Sequence, residues 1–242
     1  MERAVLIIPA YNEAGTLGDV LARVVEADPG CEVVVVDDGS QDGTGDIAER
    51  AGATVLRHPF NLGYGAALQT GYKYALECDA ALVVQMDADG QHDPAQVREL
   101  AAGIRSGDYD LVVGSRFIET TGYQMGLLRS VGRKVFSALA RLAGLRVSDP
   151  TSGFQGMNRR VLDLYARDFF PTDYPDVDVL LTAFRYGLRV GEHPVRMAET
   201  SRASTLHGGL RSVYYVYKML LSTFTATARP ARDVANQETD GP

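Results

Sequence analysis

Apolar residues fall into short runs separated by stretches with helical spacing. Residues 5–8 are uniformly apolar and read as a buried strand. Leu17, Val20, Leu21 and Val24 then recur at i, i+3, i+4 and i+7, which predicts a helix. A β-branched run at 32–36 predicts a second strand, followed by a helix over 42–51 and a short strand at 54–56. Residues 64–76 read as a helix and 81–85 as another buried strand. Val97, Leu100, Ala101 and Ile104 mark the next helix, with Pro94 near its first turn, and 111–113 closes the series as a strand. Strands alternating with helices predict an α/β fold, a mostly parallel sheet covered on both faces.

The remaining chain is less regular. Residues 129–142 read as a helix with Arg, Ser and Lys on one side. A strand at 151–157 follows a turn at Asp149-Pro150, then a helix at 177–186 and a strand at 189–195. Leu210, Val213, Tyr214, Tyr217, Leu221 and Phe224 share one helical face within 208–228. That helix either packs on the domain or lies on a membrane surface with its tyrosines at headgroup level. It is too short, and too polar at its end, to span a bilayer. A single domain over 1–228 is expected, with a polar tail at 229–242.

Composition narrows the function. Among 242 residues, 24 Lys and Arg stand against 31 Asp and Glu, a net charge of -7. This excludes a broadly basic nucleic-acid binder. Cys31 and Cys78 form no metal-ligand spacing and no disulfide framework, so a reducing, cytoplasmic setting is expected. The first apolar run ends at Pro9, too short for the core of an export signal.

Chemistry concentrates where strands end. The first strand runs into Pro9-Ala10-Tyr11-Asn12-Glu13, the second into Asp37-Asp38-Gly39-Ser40, and the strand near 85 into Asp87-Ala88-Asp89-Gly90-Gln91-His92. Ligands of open parallel sheets bind beyond the carboxyl ends of strands, so these clusters should share one rim. Asp-x-Asp suits Mg2+ or Mn2+, hard cations that bind through one or two carboxylates plus substrate phosphates. Each cluster taken alone also reads as a solvated turn. No GxGxxG follows the first strand and no P-loop is present, which disfavours a dehydrogenase or an NTPase.

The ordered series PAYNE (9–13), VDDGSQDGT (36–44), NLGYGAA (61–67), MDADGQHDP (86–94), VVGSRF (112–117) and SDPTSGF (148–154) resembles the family-2 glycosyltransferases. Within them it is most similar to the dolichyl/polyprenyl-phosphate mannosyl- or glucosyltransferase branch. The likeness covers about residues 4–200. It implies a GT-A-like fold, a nucleotide-sugar donor, a divalent cation and a lipid-phosphate acceptor. The nucleotide-sugar half would be about 1–117 and the acceptor half 118–228.

By the resemblance, Pro9, Tyr11, Glu13, Asp37 and Asp38 would hold the nucleoside. Asp87, Asp89 and Gln91 would hold the metal, with Asp89 central to catalysis. Arg116 would contact phosphate during transfer. Arg129, Arg133, Ser137, Asp149 and Ser152 would line the acceptor or phosphate side. Arg133 and Ser137, four residues apart, share a helical face. The reaction would be one inverting displacement. A lipid phosphate is already ionised and needs no base, whereas a hydroxyl acceptor does. Asp176 and Asp178 are the base candidates for that case, or else helix N-terminal acids favoured by the dipole. Many members of the branch carry two C-terminal spanning helices, and this sequence has no such run. A peripheral enzyme on the cytoplasmic face, one anchored by a membrane-protein partner, or one using a soluble or polysaccharide hydroxyl acceptor fits that departure. A nucleotide-sugar binding protein without turnover is the alternative from another class.

Overall fold

The computed structural model describes residues 2–118, 136–138, 140–173 and 175–198. Among them, seven strands form one sheet: β1 (Ala4–Ala10), β2 (Glu32–Asp37), β3 (Thr54–Arg57), β4 (Leu82–Gln85), β5 (Leu111–Ser115), β6 (Gln155–Asn158) and β7 (Val190–Pro194). Their spatial order is β3-β2-β1-β4-β6-β5-β7. The helices are α1 (Leu17–Ala27), α2 (Thr44–Arg50), α3 (Tyr64–Glu77), α4 (Val97–Arg105), α5 (Arg159–Tyr165) and α6 (Val177–Arg185).

Alternation along β1 divides the core into two layers. Val5 and Ile7 face Leu68 and Tyr72 of α3 and, further on, Tyr165 and Leu180. Leu6 and Ile8 face Leu17, Val20, Leu21 and Val24 of α1, with Val97 and Leu100 of α4 in the same layer. Successive side chains of a strand point to opposite faces, so a uniformly apolar strand requires cover on both. The four periodic residues of α1 are all buried. Burying each such side chain contributes about 1.5–3 kcal/mol. The helix stops at Asp28, which adopts a left-handed conformation (φ 42°) and donates its N–H to the Val24 and Val25 carbonyls.

β1 pairs in parallel with β2 and β4, and β2 with β3. β5 and β7 are also parallel. Between them lies β6, antiparallel to both β4 and β5, with Met157 opposite Val83 on one side and Leu111 on the other. The strand expected over 151–157 begins only at Gln155, because the preceding residues form a polar turn. A short helix the sequence reading lacked, α5, is capped by Asn158, whose side chain accepts the Val161 N–H. Arg129, Arg133 and the 208–228 stretch lie outside the described residues. No helix among the described residues is long and apolar enough to cross a membrane.

Candidate active site

The loops after β1 and β2 are tied together by their own polar residues. Ser40 Oγ accepts the Asn12 N–H (2.9 Å), and Asn12 Oδ1 accepts the Gln41 N–H (3.0 Å). Thr44 Oγ1 accepts the Glu13 N–H (2.9 Å), and Asp42 Oδ2 accepts the Ala14 N–H (3.0 Å). Gly39 allows the next loop to approach. Its φ is +74°, and a Cβ there would lie 2.5 Å from the Phe60 carbonyl carbon. The result is a cleft of about 260 Å³ lined by Tyr11, Asp37, Gly39, Ser40, Gln41, Arg57, His58, Pro59, Phe60 and Asn61. Tyr11 and Phe60 are exposed there, at 47% and 64%.

Of the five residues expected at the nucleoside, Tyr11 and Asp37 line this cleft. Pro9 is buried within β1 opposite Val36. Glu13 Oε2 accepts the Thr16 hydroxyl (2.7 Å) at the start of α1. Asp38 is buried, and its carboxylate accepts the Leu62 N–H (2.8 Å), the Gly63 N–H (2.9 Å) and a bond to His58 Nδ1 (2.7 Å). Pro9, Glu13 and Asp38 therefore shape the loops around the cleft without lining it.

Asp87 and Asp89 stand just beyond β4, beside this cleft's loops. Asp87 Oδ1 accepts the Tyr64 hydroxyl (2.7 Å), and Oδ2 lies 3.2 Å from His92 Nε2. Burial alone raises the Asp87 carboxyl, but the His92 and Tyr64 bonds and the nearby Arg116 charge outweigh it and hold it below the usual range. Asp89 reaches solvent. Thinned hydration and the Asp87 charge push its carboxyl upward. One of its oxygens accepts the Gln91 N–H (2.9 Å). Two neighbouring carboxylates of which one is raised by the other form a donor set that a hard cation would relieve. Among the described residues no three His, Cys, Asp or Glu side chains converge on one point. Two carboxylates completed by phosphate oxygens and water suit Mg2+ or Mn2+ and do not suit zinc.

The acceptor-side residues behave differently. The Arg116 guanidinium is paired bidentately with Asp149, Nε to Oδ2 at 2.6 Å and a terminal nitrogen to Oδ1 at 2.7 Å. Asp149 is fully buried. Ser137 donates to the Val147 carbonyl (2.8 Å). Ser152 Oγ accepts the Phe154 N–H (3.3 Å). Both serines are buried, so among the described residues these three side chains are engaged with the protein itself. Glu192 of β7, absent from the sequence reading, accepts the Ser148 and Asp149 N–H groups (2.8 and 3.0 Å) and fixes the turn from below. Asp178 is buried at the start of α6, where Oδ1 accepts the Val179 and Asp176 N–H groups (2.9 and 3.1 Å). Asp176 occupies the N-cap position of α6 without a side-chain capping bond, and its charge acts on Tyr64.

The sequence reading also missed Tyr64 and Gly153. A Cβ on Gly153 would fall 2.8 Å from Asp87 Oδ2 and 3.0 Å from the Tyr64 hydroxyl. Gly65 has the same character, since a Cβ there would collide with the Pro171 carbonyl. The spacing Gly63-Tyr64-Gly65 was the available signal: two small residues flank one large one where another loop must close in.

A family model described as glycosyl transferase family 2 matches residues 5–165. The chain belongs to the family-2 glycosyltransferases. It is 34% identical to the undecaprenyl-phosphate mannosyltransferase of Micrococcus luteus, over 86% of this chain and 89% of that one. It is 33% identical to the polyprenol monophosphomannose synthase of Mycolicibacterium smegmatis, over 82% and 78%. Glucosyl-3-phosphoglycerate synthase from Mycobacterium tuberculosis, solved with Mn2+ and UDP-glucose, superposes with a TM-score of 0.71 at 22% identity, covering 93% of this chain and 79% of that one. That likeness is one of fold: the sheet and its rim are GT-A-like.

Proposed function

We propose that this glycosyltransferase moves a hexosyl group from a nucleoside-diphosphate sugar to the phosphate of a polyprenyl-type lipid, with inversion at the anomeric carbon. The observation that carries the reading is the Asp87–Asp89 pair beside an aromatic-edged cleft, in a chain aligned almost end to end with a lipid-phosphate mannosyltransferase. Tyr11 and Phe60 would pack on the base and ribose, and Asp37 would accept a nucleoside hydrogen bond. Asp87 and Asp89, with Gln91, would hold Mg2+ or Mn2+. When bound, that ion offsets the negative charge gathering on the leaving diphosphate. Arg116, held rigid by Asp149, adds fixed positive charge close to Asp87. The acceptor phosphate is already ionised near neutrality, so attack requires no general base.

Such an acceptor resides in a membrane, which calls for peripheral association or a membrane-protein partner. The test is incubation with Mn2+ or Mg2+, labelled GDP-mannose or UDP-glucose, and a short polyprenyl phosphate. Chloroform-extractable label is the expected result. Failure of every donor in a broad panel to give it overturns the proposal.

A hydroxyl acceptor is the second reading, and Asp176 would be its base, because Asp178 is buried with its Oδ1 accepting two backbone N–H groups. Asp178 is engaged in capping its own helix. Under that reading Asp176→Asn abolishes transfer with donor binding intact. Under the lipid-phosphate reading it does not.

A further inference from the structure

Asp87 and Asp89 differ in how they are held, and the difference points to residues outside the Asp-x-Asp segment. Asp87 is enclosed on three sides. The Tyr64 hydroxyl, from the first turn of α3, donates to Oδ1 at 2.7 Å. His92 Nε2 lies 3.2 Å from Oδ2. Gly153 closes the third side, so near that a side chain would strike both carboxylate oxygens.

Each wall is itself fixed. The approach to Tyr64 is pinned where Asp38 accepts the Leu62 and Gly63 N–H groups. The Gly153 carbonyl accepts the Gln85 side-chain N–H (3.0 Å), and Gln85 in turn accepts the buried Tyr72 hydroxyl. His92 is 2% exposed and lies against the Phe154 ring, with centroids 4.8 Å apart. Its Nδ1 is buried without a partner. The tautomer with its proton on Nε2 leaves only a bare lone pair there, and gives Asp87 a donor. Among the described residues, Asp87 is the polar contact of this buried ring.

We propose that Tyr64 and His92 are positioning residues that fix the Asp87 carboxylate in advance for the divalent cation, beside the solvent-exposed Asp89. This rests on the metal reading above. Outer partners that orient a ligating carboxylate typically change metal affinity 10–100-fold when removed. Within this pair the hydrogen bonds of Tyr64 and His92 go to Asp87, and neither residue lines the cleft, so the effect is expected on the metal more than on the nucleotide.

The test titrates Mn2+ into the full chain with UDP and, separately, with GDP, following the EPR signal of free Mn2+ and the heat of binding. Tyr64→Phe, at a partly exposed site, and His92→Phe are each expected to weaken Mn2+ binding about tenfold or more. Metal-free nucleotide affinity should stay within about twofold and the melting temperature of Tyr64→Phe close to that of the parent. His92→Gln, which returns an N–H at the same reach, should recover most of the lost affinity. Mn2+ binding within twofold of the parent in Tyr64→Phe overturns the proposal. Failure of His92→Gln to recover what His92→Phe loses overturns the part assigned to His92. Asp89→Asn separates the two levels. If it abolishes Mn2+ binding while Tyr64→Phe stays within twofold of the parent, the positioning role alone falls. If Asp89→Asn leaves Mn2+ binding intact, or the parent binds none, the metal reading falls with it.

Discussion

The rim made by β1, β2 and β4 and the turn at 148–153 are both dense in acids, hydroxyls and glycines, yet they use them in opposite ways. On the rim, Tyr11, Phe60 and Asp89 reach solvent, and the loops beneath them are cross-linked by other polar residues. In the turn, Asp149, Ser152 and the Arg116 fork face one another and the backbone. The cause lies in the strands. Parallel strands deliver their carboxyl ends to one edge, where successive loops diverge and leave side chains outward. The turn joins an antiparallel strand inserted between two others, so its polar groups fold inward and must be satisfied there. A motif rich in Asp and Ser is thus no guide to ligand contact until the local topology is known.

Substitutions on the two sides should therefore fail differently. The largest effect is expected at Asp89→Ala. Transfer should drop by about three orders of magnitude, the scale of losing a principal electrostatic stabiliser, with a melting temperature little changed. Substantial residual transfer would break the comparison on the rim side. Asp149→Ala should show the reverse: about 3 kcal/mol of stability lost as the Arg116 guanidinium gives up its buried bidentate partner. A thermal melt would register this as a fall of about 6–12 °C. Unchanged stability with lost lipid transfer would instead make the turn a binding surface.

A third carboxylate, outside both regions, provides a reference. Asp110 is buried and accepts bonds from the Arg189 N–H and guanidinium and from Asn158. Against the burial that would raise it, these hold its carboxyl at about 2. Because the folded value lies below the unfolded one of about 3.9, the stabilisation is complete above about pH 4 and is lost as pH falls toward 2. Asp110→Asn should cost about 2 kcal/mol at neutral pH, and denaturant unfolding should show the gap to the parent closing through that acidic window. The smallest effect is expected at Tyr11→Ala, which should weaken nucleotide binding about tenfold and move stability by less than about 0.5 kcal/mol. Isothermal titration and melting on the same sample check both halves of that statement.

The parallel part of the fold was legible because its signals are local. Four residues at helical spacing mark α1, and every one of them is buried. The strand ends likewise announced Tyr11, Asp37, Asp87 and Asp89. What escaped the sequence depends on distant partners. Asp110 meets Arg189 across 79 positions, and Glu192 meets Ser148 across 44. Neither pairing leaves a periodic trace. Helix α5 is only seven residues long, below the length at which periodicity separates helix from strand. Tyr64 escaped because the spacing Gly63-Tyr64-Gly65 marks only a close approach, while the partner it meets, Asp87, lies 23 positions away.

Strand β6 carries a consequence for exchanging parts between relatives. It enters from the later half of the chain, yet its neighbours on both sides, β4 and β5, come from the earlier half. A crossover placed after residue 117 would therefore hand the recipient a slot whose filling strand comes from the donor. Met157 must fit against Val83 and Leu111 at once. Viable hybrids should carry that trio as a unit, so the later half of the chain is exchanged together with a stripe of the sheet rather than as a detachable module.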